Sequence, residues 1–523
     1  MERIRPFHRR RADGRRLEPP ETRWLDIAAT ARVQTRRDGE TLIVEATLDD
    51  RDGGRWKLQQ RFRPHRIEKT LPFASGAIAV TTEVEVNTPR RPMFLPLLVV
   101  LPGVGSFGES KSQGLLAGVE YLDDEPSSST ADLTGPAANR QVVDPAKITF
   151  PLMAIQARDR HVGLIWDQAP GVSALFDSPD RLFGSRGHVL GLIAPGAEPT
   201  ARVDGALFPF EPAVLAPGRP FRAEGILIGG SGTSVVPAIR QYEAIRGLPP
   251  RPPLPDAQSF LRLTASGWLD TPIHADGLIR HAMAAGPGFA LQPAADASWM
   301  LDQLAALAVD KPLADRLSGA ANRVAERVPP GQEYHALLGH IRIPTFSLVR
   351  GDAAASIEQA RQAGYGLLGQ FGPDGAVRYP APKSGTDLGR THFSREASGH
   401  SAHVVAELLR AAVFSGDAGL ISEGLIRLRK LDRFADGIPR GAQTWEVPLH
   451  TPDILGSADM VRAYLIGYEL TGRPDWLEAA KSWAWTGVPF VYLINPTGQA
   501  VGPFASIAVL GATQWVAPVW IGL

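Results

Sequence analysis

Ser398-Gly-His-Ser-Ala-His-Val-Val-Ala-Glu-Leu-Leu-Arg-Ala-Ala-Val-Phe-Ser415 opens the stretch, running to Val516, whose reading decides the fold. Val404, Leu408, Leu409, Ala412 and Val413 recur at helical spacing, the signal of an amphipathic helix. After a short gap at Ser415-Gly416, Leu420, Ile421, Leu425, Leu428 and Leu431 mark a second helix. No period is visible from Ala435 to Asp453. Val461, Tyr464, Leu465 and Tyr468 then mark a third helix, and a short gap at Thr471-Gly472 leads to a fourth with Trp476, Leu477, Ala480 and Trp483. A second long gap, Gly487 to Pro503, precedes a last apolar helix predicted to end near Val516.

The alternation of short and long gaps carries the argument. In an up-down array every second connection lies at the same end, so the long gaps share one end and the tight turns the other. Long connections without secondary structure are uncommon in compact domains and are often functional. One end of this array is therefore expected to carry an active site on a rigid scaffold.

Outward from there the chain changes character. Residues 22–232 read as strands. Ala31–Arg37 and Glu40–Leu48 flank the hairpin pair Asp38-Gly39. Trp56 to Phe62 alternates, Ile78, Val80, Thr82, Val84 and Val86 share a face, and Met93 to Leu101 is a more fully apolar run. Segments 148–156, 161–167, 188–193 and 221–228 continue the pattern, which predicts a large antiparallel sandwich. Gly103-Val-Gly-Ser-Phe-Gly108, with Glu120 and Asp123 downstream, imitates a dinucleotide fingerprint. That motif requires a helix directly after the glycines, and none is expected here. Gly229-Gly-Ser-Gly-Thr-Ser234 lacks the Lys of a phosphate loop.

Residues 233–255 read as a linker: a helix at 235–246, then Leu248-Pro-Pro-Arg-Pro-Pro-Leu-Pro255, a stiff extended spacer. Beyond it, helices are expected at 256–269, 272–284, 296–309, 311–327 and 352–369, giving ten with the five above. Phe414-Ser-Gly-Asp-Ala-Gly-Leu420 and Leu470-Thr-Gly-Arg-Pro-Asp-Trp476 partly repeat, as in stacked helical hairpins. Residues 256–523 are thus expected to form an α/α toroid. The chain is apolar through Trp515-Val-Ala-Pro-Val-Trp-Ile-Gly-Leu523, and ten helices fall short of six hairpins, so a truncated toroid is expected.

Composition limits the function classes. Lys+Arg and Asp+Glu both number 55, so no global charge favours nucleic acid or a membrane. No apolar run is long enough to span a bilayer. The absence of Cys excludes disulfides and thiolate chemistry. Residues 1–21 are rich in Arg with no apolar segment behind them and read as a disordered start, not a secretory signal. If that N-terminus is complete, a cytoplasmic location follows.

A sandwich of some 200 residues, a linker and helical hairpins together resemble the six-hairpin glycosidases, in particular the glucoamylase-like and disaccharide-phosphorylase branches. The one local match is Trp445-Glu446-Val447, similar to the Trp-Glu segment that holds the proton donor in glucoamylases. The resemblance implies an N-terminal super-β-sandwich, an (α/α)6 toroid and an oligo- or polysaccharide substrate.

Glycoside cleavage uses one carboxylic acid to protonate the leaving oxygen and a second carboxylate as base or nucleophile. Glu446, flanked by Trp445 and Val447-Pro448, is the candidate acid; burial among apolar groups raises a carboxyl pKa. Asp387 and Glu396, in the earlier long loop 371–397, are candidates for the second carboxylate, or else pair with Arg390 and Arg395. Trp445, His450, Asp453, His392, Arg390 and Tyr379 are candidate substrate contacts, Asp453 also reading as the N-cap of the next helix. His392, His400 and His403 match no strong zinc spacing, and neither metal nor cofactor is expected. The alternatives are a polysaccharide lyase or uronate epimerase using His, Tyr and Arg of the same loops, with His400 or His450 as base, and a non-catalytic glycan-binding protein.

Overall fold

The computed structural model describes residues 31–92, 94–127, 143, 145–180, 182–196, 212–251, 253–281, 289–338, 344–389, 394–444, 447–496 and 502–510, with the short pieces 9–10 and 16–17. Those two pieces pair antiparallel as Arg9–Arg10 and Arg16–Leu17.

An antiparallel, sheet-rich region comes first and a helical region follows. The strands are β1 (Arg32–Asp38), β2 (Thr41–Asp49), β3 (Arg55–Pro64), β4 (Ser75–Val86), β5 (Leu95–Val100), β6 (Gln113–Leu116), β7 (Glu120–Leu122), β8 (Leu152–Ala157), β9 (Arg160–Trp166), β10 (Ser173–Asp177), β11 (Val189–Ala194) and β12 (Phe221–Ser231). Nine form one sheet in the order β1-β2-β3-β4-β12-β9-β8-β6-β7, and β10-β11-β5 form a second. Strands β6, β7 and β10 were not expected. They are short, and the sequence around them offers no long alternation.

The β12-β9-β8-β6 part of the larger sheet is covered on both faces, and the strand period of two explains how. Met153, Ile155, Leu164 and Trp166 point into a core shared with Leu97, Leu98, Phe176, Leu190 and Leu192 of the smaller sheet. Their neighbours Leu152, Ala154 and Ile165 point the other way, as do Leu115, Ile226 and Ile228. These meet Val235, Ile239 and Tyr242 of the helix after the sheet, and Ile438, Phe490, Tyr492, Ile507 and Leu510 from the far half of the chain. Strands buried on both faces read as near-continuous apolar runs, as Leu152–Ala157 does.

The helices are α1 (Val236–Arg246), α2 (Ala257–Leu269), α3 (Ala295–Leu307), α4 (Lys311–Glu326), α5 (Ala353–Leu368), α6 (Ser398–Ser415), α7 (Ala418–Lys430), α8 (Ile454–Thr471) and α9 (Pro474–Gly487), with a single turn at Phe346–Val349. Aspartates begin five of them: Asp256, Asp310, Asp352, Asp417 and Asp453 each accept a hydrogen bond from a first-turn amide. Such caps satisfy donors that have no partner inside the helix. Gly416 and Gly472 end α6 and α8 in the left-handed conformation, both at φ +67°. These are the two partly repeated turns, and the repeat thus has a backbone cause. The helices pack as α3 on α4, α5 on α6, α6 on both α7 and α8, and α8 on α9, while α9 also touches α1 from the start of the helical region. Ala402, Val405, Leu409, Leu428, Met460, Tyr464, Trp476 and Trp483 form the core of the last four.

Two expected helices are corrected. In 272–284, His274–Ala275 pairs antiparallel with Leu278–Ile279. Asp276 and Gly277 take φ of +52° and +78°, the geometry of a tight hairpin turn, and an Asp-Gly pair outranks loosely helical apolar spacing. The last helix does not form over 504–510, because that backbone is used elsewhere. Ile507 N donates to Phe490 O, Leu510 N to Pro452 O, and Ile454 N to Ala508 O. Residues 511–523 lie outside the described residues. The glycines at 103–108 form a compact turn that feeds strand β6, not a helix.

Candidate active site

The three long connections meet. Gly399 N donates to Arg440 O (2.7 Å), Leu449 N to Leu388 O (2.9 Å) and Asp453 N to Pro439 O (3.0 Å). His450 Nε2 lies 2.5 Å from Ser394 O. Gln443 Nε2 donates to Ala508 O. The described parts of segments 371–397, 435–453 and 488–510 therefore form one woven rim at the N-terminal ends of α6 and α8. Glycine permits the closest contact: a Cβ on Gly399 would stand 2.7 Å from Gly456 Cα and 2.8 Å from Arg440 O.

The rim leans on the β6–β7 edge of the larger sheet. Thr149 Oγ1 and Gly118 N both donate to Pro489 O, Tyr492 Oη donates to Ala146 O, and Gln113 Nε2 donates to Asp436 O. Arg440 is the charged centre of this seam. It is 5% exposed. Its guanidinium pairs with Glu125 and, at 3.3 Å, with Asp123, and donates to His450 O at 2.6 Å.

The candidate residues divide among these features. Asp387 accepts from Arg395 Nη2 at 2.7 Å and from Gly389 N at 3.0 Å. Tyr379 packs on Gly389, where a Cβ would lie 2.4 Å from the ring. Its ring stands edge-on to His400, centroids 5.9 Å apart. Burial lowers the His400 pKa, with a smaller contribution from the charge of His403, while a hydrogen bond to the Arg378 backbone opposes both. His400 Nε2 is buried and meets no hydrogen-bond partner among the described residues. Glu396 turns aside and pairs with Arg378 (3.3 Å) and Arg433 (3.5 Å). Asp387 and Glu396 thus have different cations, and the rim brings together Asp387, Arg395, Tyr379 and His400.

Asp453 is wholly buried, and its oxygens accept from Gly456 N (2.7 Å) and Ala442 N (2.9 Å). It caps α8 and staples the loop to it. Burial outweighs these bonds and raises its pKa to about 6. Trp445, Glu446, Arg390 and His392 lie outside the described residues. The chain on either side of Trp445-Glu446 is anchored in the rim, with Val447 N donating to Gln443 O. Sequence reasoning missed Arg440, Tyr121, Asp123 and Glu125. The ion pair of Arg440 with Glu125 closes 315 residues of chain, and no local pattern announces it.

No protein-family model matches this chain, and no curated protein does. Among solved structures it is similar to one described as "Polysaccharide Lyase BACCELL_00875", with TM-score 0.34 and 10% identity over 91% of this chain and 74% of that one. It is also similar to the α-N-acetylgalactosaminidase NagBb from Bifidobacterium bifidum in complex with Gal-NHAc-DNJ, at TM-score 0.29 and 13% identity over 55% and 43%. The GH36 α-galactosidase AgaA from Geobacillus stearothermophilus follows at TM-score 0.21 and 10% identity over 94% and 77%.

Proposed function

We propose that the protein is a carbohydrate-active enzyme, a glycoside hydrolase working at the woven rim. One observation carries this reading: the connections holding Asp387 and flanking Glu446 are hydrogen-bonded side by side, Leu449 N to Leu388 O, at one end of a rigid helical scaffold. In this scheme Glu446 protonates the glycosidic oxygen as the C–O bond breaks, and Asp387 removes a proton from the attacking water or itself attacks the anomeric carbon. Arg395 orients Asp387 through its ion pair. Full turnover adds water across the bond and returns both carboxyls to their starting states. The test is Glu446→Gln against a panel of glycosides. Loss of a general acid lowers kcat by roughly 10²–10⁴-fold with folding intact. Unchanged turnover in a folded variant would remove Glu446 from the mechanism.

A second reading rests on His400. A buried imidazole whose pKa is lowered and whose Nε2 has no described partner suits a base. With Tyr379 as proton donor it would serve elimination from a uronate, in which the C5 proton leaves, the C4–O bond breaks and a double bond forms. A rise in ultraviolet absorbance during turnover separates that outcome from hydrolysis.

A further inference from the structure

Helix α6 packs on α5, α7 and α8, and it leaves one stripe open. From Ser398 to Ala412 only His403 is exposed; His400, Glu407 and Arg410 are half-buried and every other residue is buried. The spacing 400, 403, 407, 410 sets these four along one face of the helix. Glu407 pairs with Arg410 at 3.0 Å. His403 turns instead toward α8, where its Nδ1 lies 3.4 Å from Asp459 Oδ2. The exposure of the two side chains is unequal, 56% for His403 against 9% for Asp459. The other oxygen of Asp459 accepts from Arg462 Nη1 at 2.9 Å.

Both residues lie close to the rim. Helices α6 and α8 start there, and His403 and Asp459 are each the sixth residue of their helix. At the helical rise they stand about 7–8 Å along the axis from its first residue. Contacts lead from His403 back to the carboxylate at the rim. The charge of His403 acts on His400, and the Tyr379 ring stands edge-on to His400. Tyr379 packs on Gly389, whose N donates to Asp387. In a neutral imidazole, a carboxylate beside Nδ1 selects the Nδ1–H tautomer and leaves the lone pair on Nε2. A buried carboxylate thus orients an exposed imidazole as a proton acceptor, and such contacts are often long before a substrate binds. Asp387 is built differently: Oδ1 accepts from Gly389 N and Oδ2 from Arg395, which fixes the carboxylate in place.

We infer that His403, oriented by Asp459, is the group that activates water at this site. The inference rests on the hydrolase reading above and assigns its steps. Asp387 attacks the anomeric carbon as Glu446 protonates the departing oxygen, which gives a glycosyl ester. A water then attacks the same carbon, its proton passes to His403 Nε2, and the Asp387 carboxylate leaves. The imidazolium returns that proton to Glu446, so the sum is one water added across one glycosidic bond. His403 is the catalytic residue of the second step, and Asp459 is a positioning residue that acts through it.

The full chain and its His403→Ala and Asp459→Asn variants are mixed with the aryl glycoside that the parent turns over fastest, and aryl release is followed by stopped flow. Loss of a general base slows the second step by roughly 10²–10⁴-fold. In His403→Ala the aryl group should therefore leave in a burst of about one per protein, followed by slow turnover, with the protein heavier by one glycosyl unit. His403 is exposed, so an unchanged Tm is expected. Asp459→Asn should also slow turnover, and it should add nothing in the His403→Ala background, because it acts only through the imidazole. Parent-like turnover in His403→Ala overturns the inference, as does slow turnover without a burst. Either result leaves the hydrolase reading to its own test at Glu446. No aryl release by the parent from any glycoside overturns both.

Discussion

Replacing Arg440 by Met tests whether sheet and helices act as one body. The side chain is 7% exposed and holds Glu125, itself 14% exposed, Asp123 at 39%, and the His450 carbonyl. Met keeps much of the aliphatic stem, so the loss is electrostatic. Leaving a buried partner without its counter-charge costs about 3–5 kcal/mol. Asp123 is open enough to be rehydrated and contributes little, which places the pair term at the low end. The carbonyl adds about 1 kcal/mol. The expected loss is about 3–4 kcal/mol, read as a shift of the urea transition followed by far-ultraviolet circular dichroism and tryptophan fluorescence. The two probes should separate in the variant, as the sheet and the tryptophan-rich helices lose their tie. A cycle with Glu125→Gln supplies the internal check, because the double variant should lose about 2 kcal/mol less than the two single losses added. A single-variant loss below about 1 kcal/mol, or additive losses in the cycle, would refute the view of Arg440 as the seam's charged centre.

Asp453→Asn should change how stability depends on pH. The folded pKa is raised from 3.8 to about 6, so the folded state holds the proton more tightly and stability falls as pH rises through that window. At about 1.4 kcal/mol per pH unit this is worth about 3 kcal/mol between pH 4 and pH 7, a slope the neutral Asn lacks. Parallel stability profiles for the two proteins would contradict the assignment. Gly399→Ala should lower stability by about 2 kcal/mol, because the new methyl meets backbone at Gly456 and Arg440 that cannot rotate away; a calorimetric Tm at or above the parent value would count against that contact.

What was legible in the sequence was whatever the chain writes locally. The helices 398–415, 418–430, 454–471 and 474–487 followed from apolar spacing, from Asp453 as a cap, and from the short gaps at Ser415-Gly416 and Thr471-Gly472. The shared end of the long connections followed from counting alone. The hairpin at 274–279 was written as plainly, in Asp276-Gly277, and was misread because apolar spacing was weighed above turn chemistry. Other features had no local signature. The run Leu152–Ala157 announces burial on both faces but not what covers each. Only the fold shows the smaller sheet on one side and Phe490, Tyr492 and Ile507 on the other. Glu120 and Asp123 were read only as acids trailing a glycine string. Their significance depends on Arg440, which nothing near it in sequence marks.

The way the rim is built bears on what it can do. Ordering a residue's backbone costs about 1–2 kcal/mol, so loops of this length stay fixed only where many small interactions accumulate. Here they pair with one another: Asp453 N to Pro439 O, Ile454 N to Ala508 O, Leu510 N to Pro452 O, and Gly399 N to Arg440 O. Loop ladders of this kind satisfy backbone groups that α6 and α8 leave open at their N-termini, and they leave side chains to point where backbone geometry sends them. Asp387, Arg395, Tyr379 and His400 are positioned on that lattice. Arg440 joins it to the sheet: its peptide oxygen accepts from Gly399 N of α6, and its guanidinium pairs with Glu125. A carboxyl such as Asp123 can thus be presented from one region of the chain to a rim built by another without a flexible arm between them. A pair of carboxyls acting on one glycosidic bond, as proposed for Asp387 and Glu446, requires that rigidity.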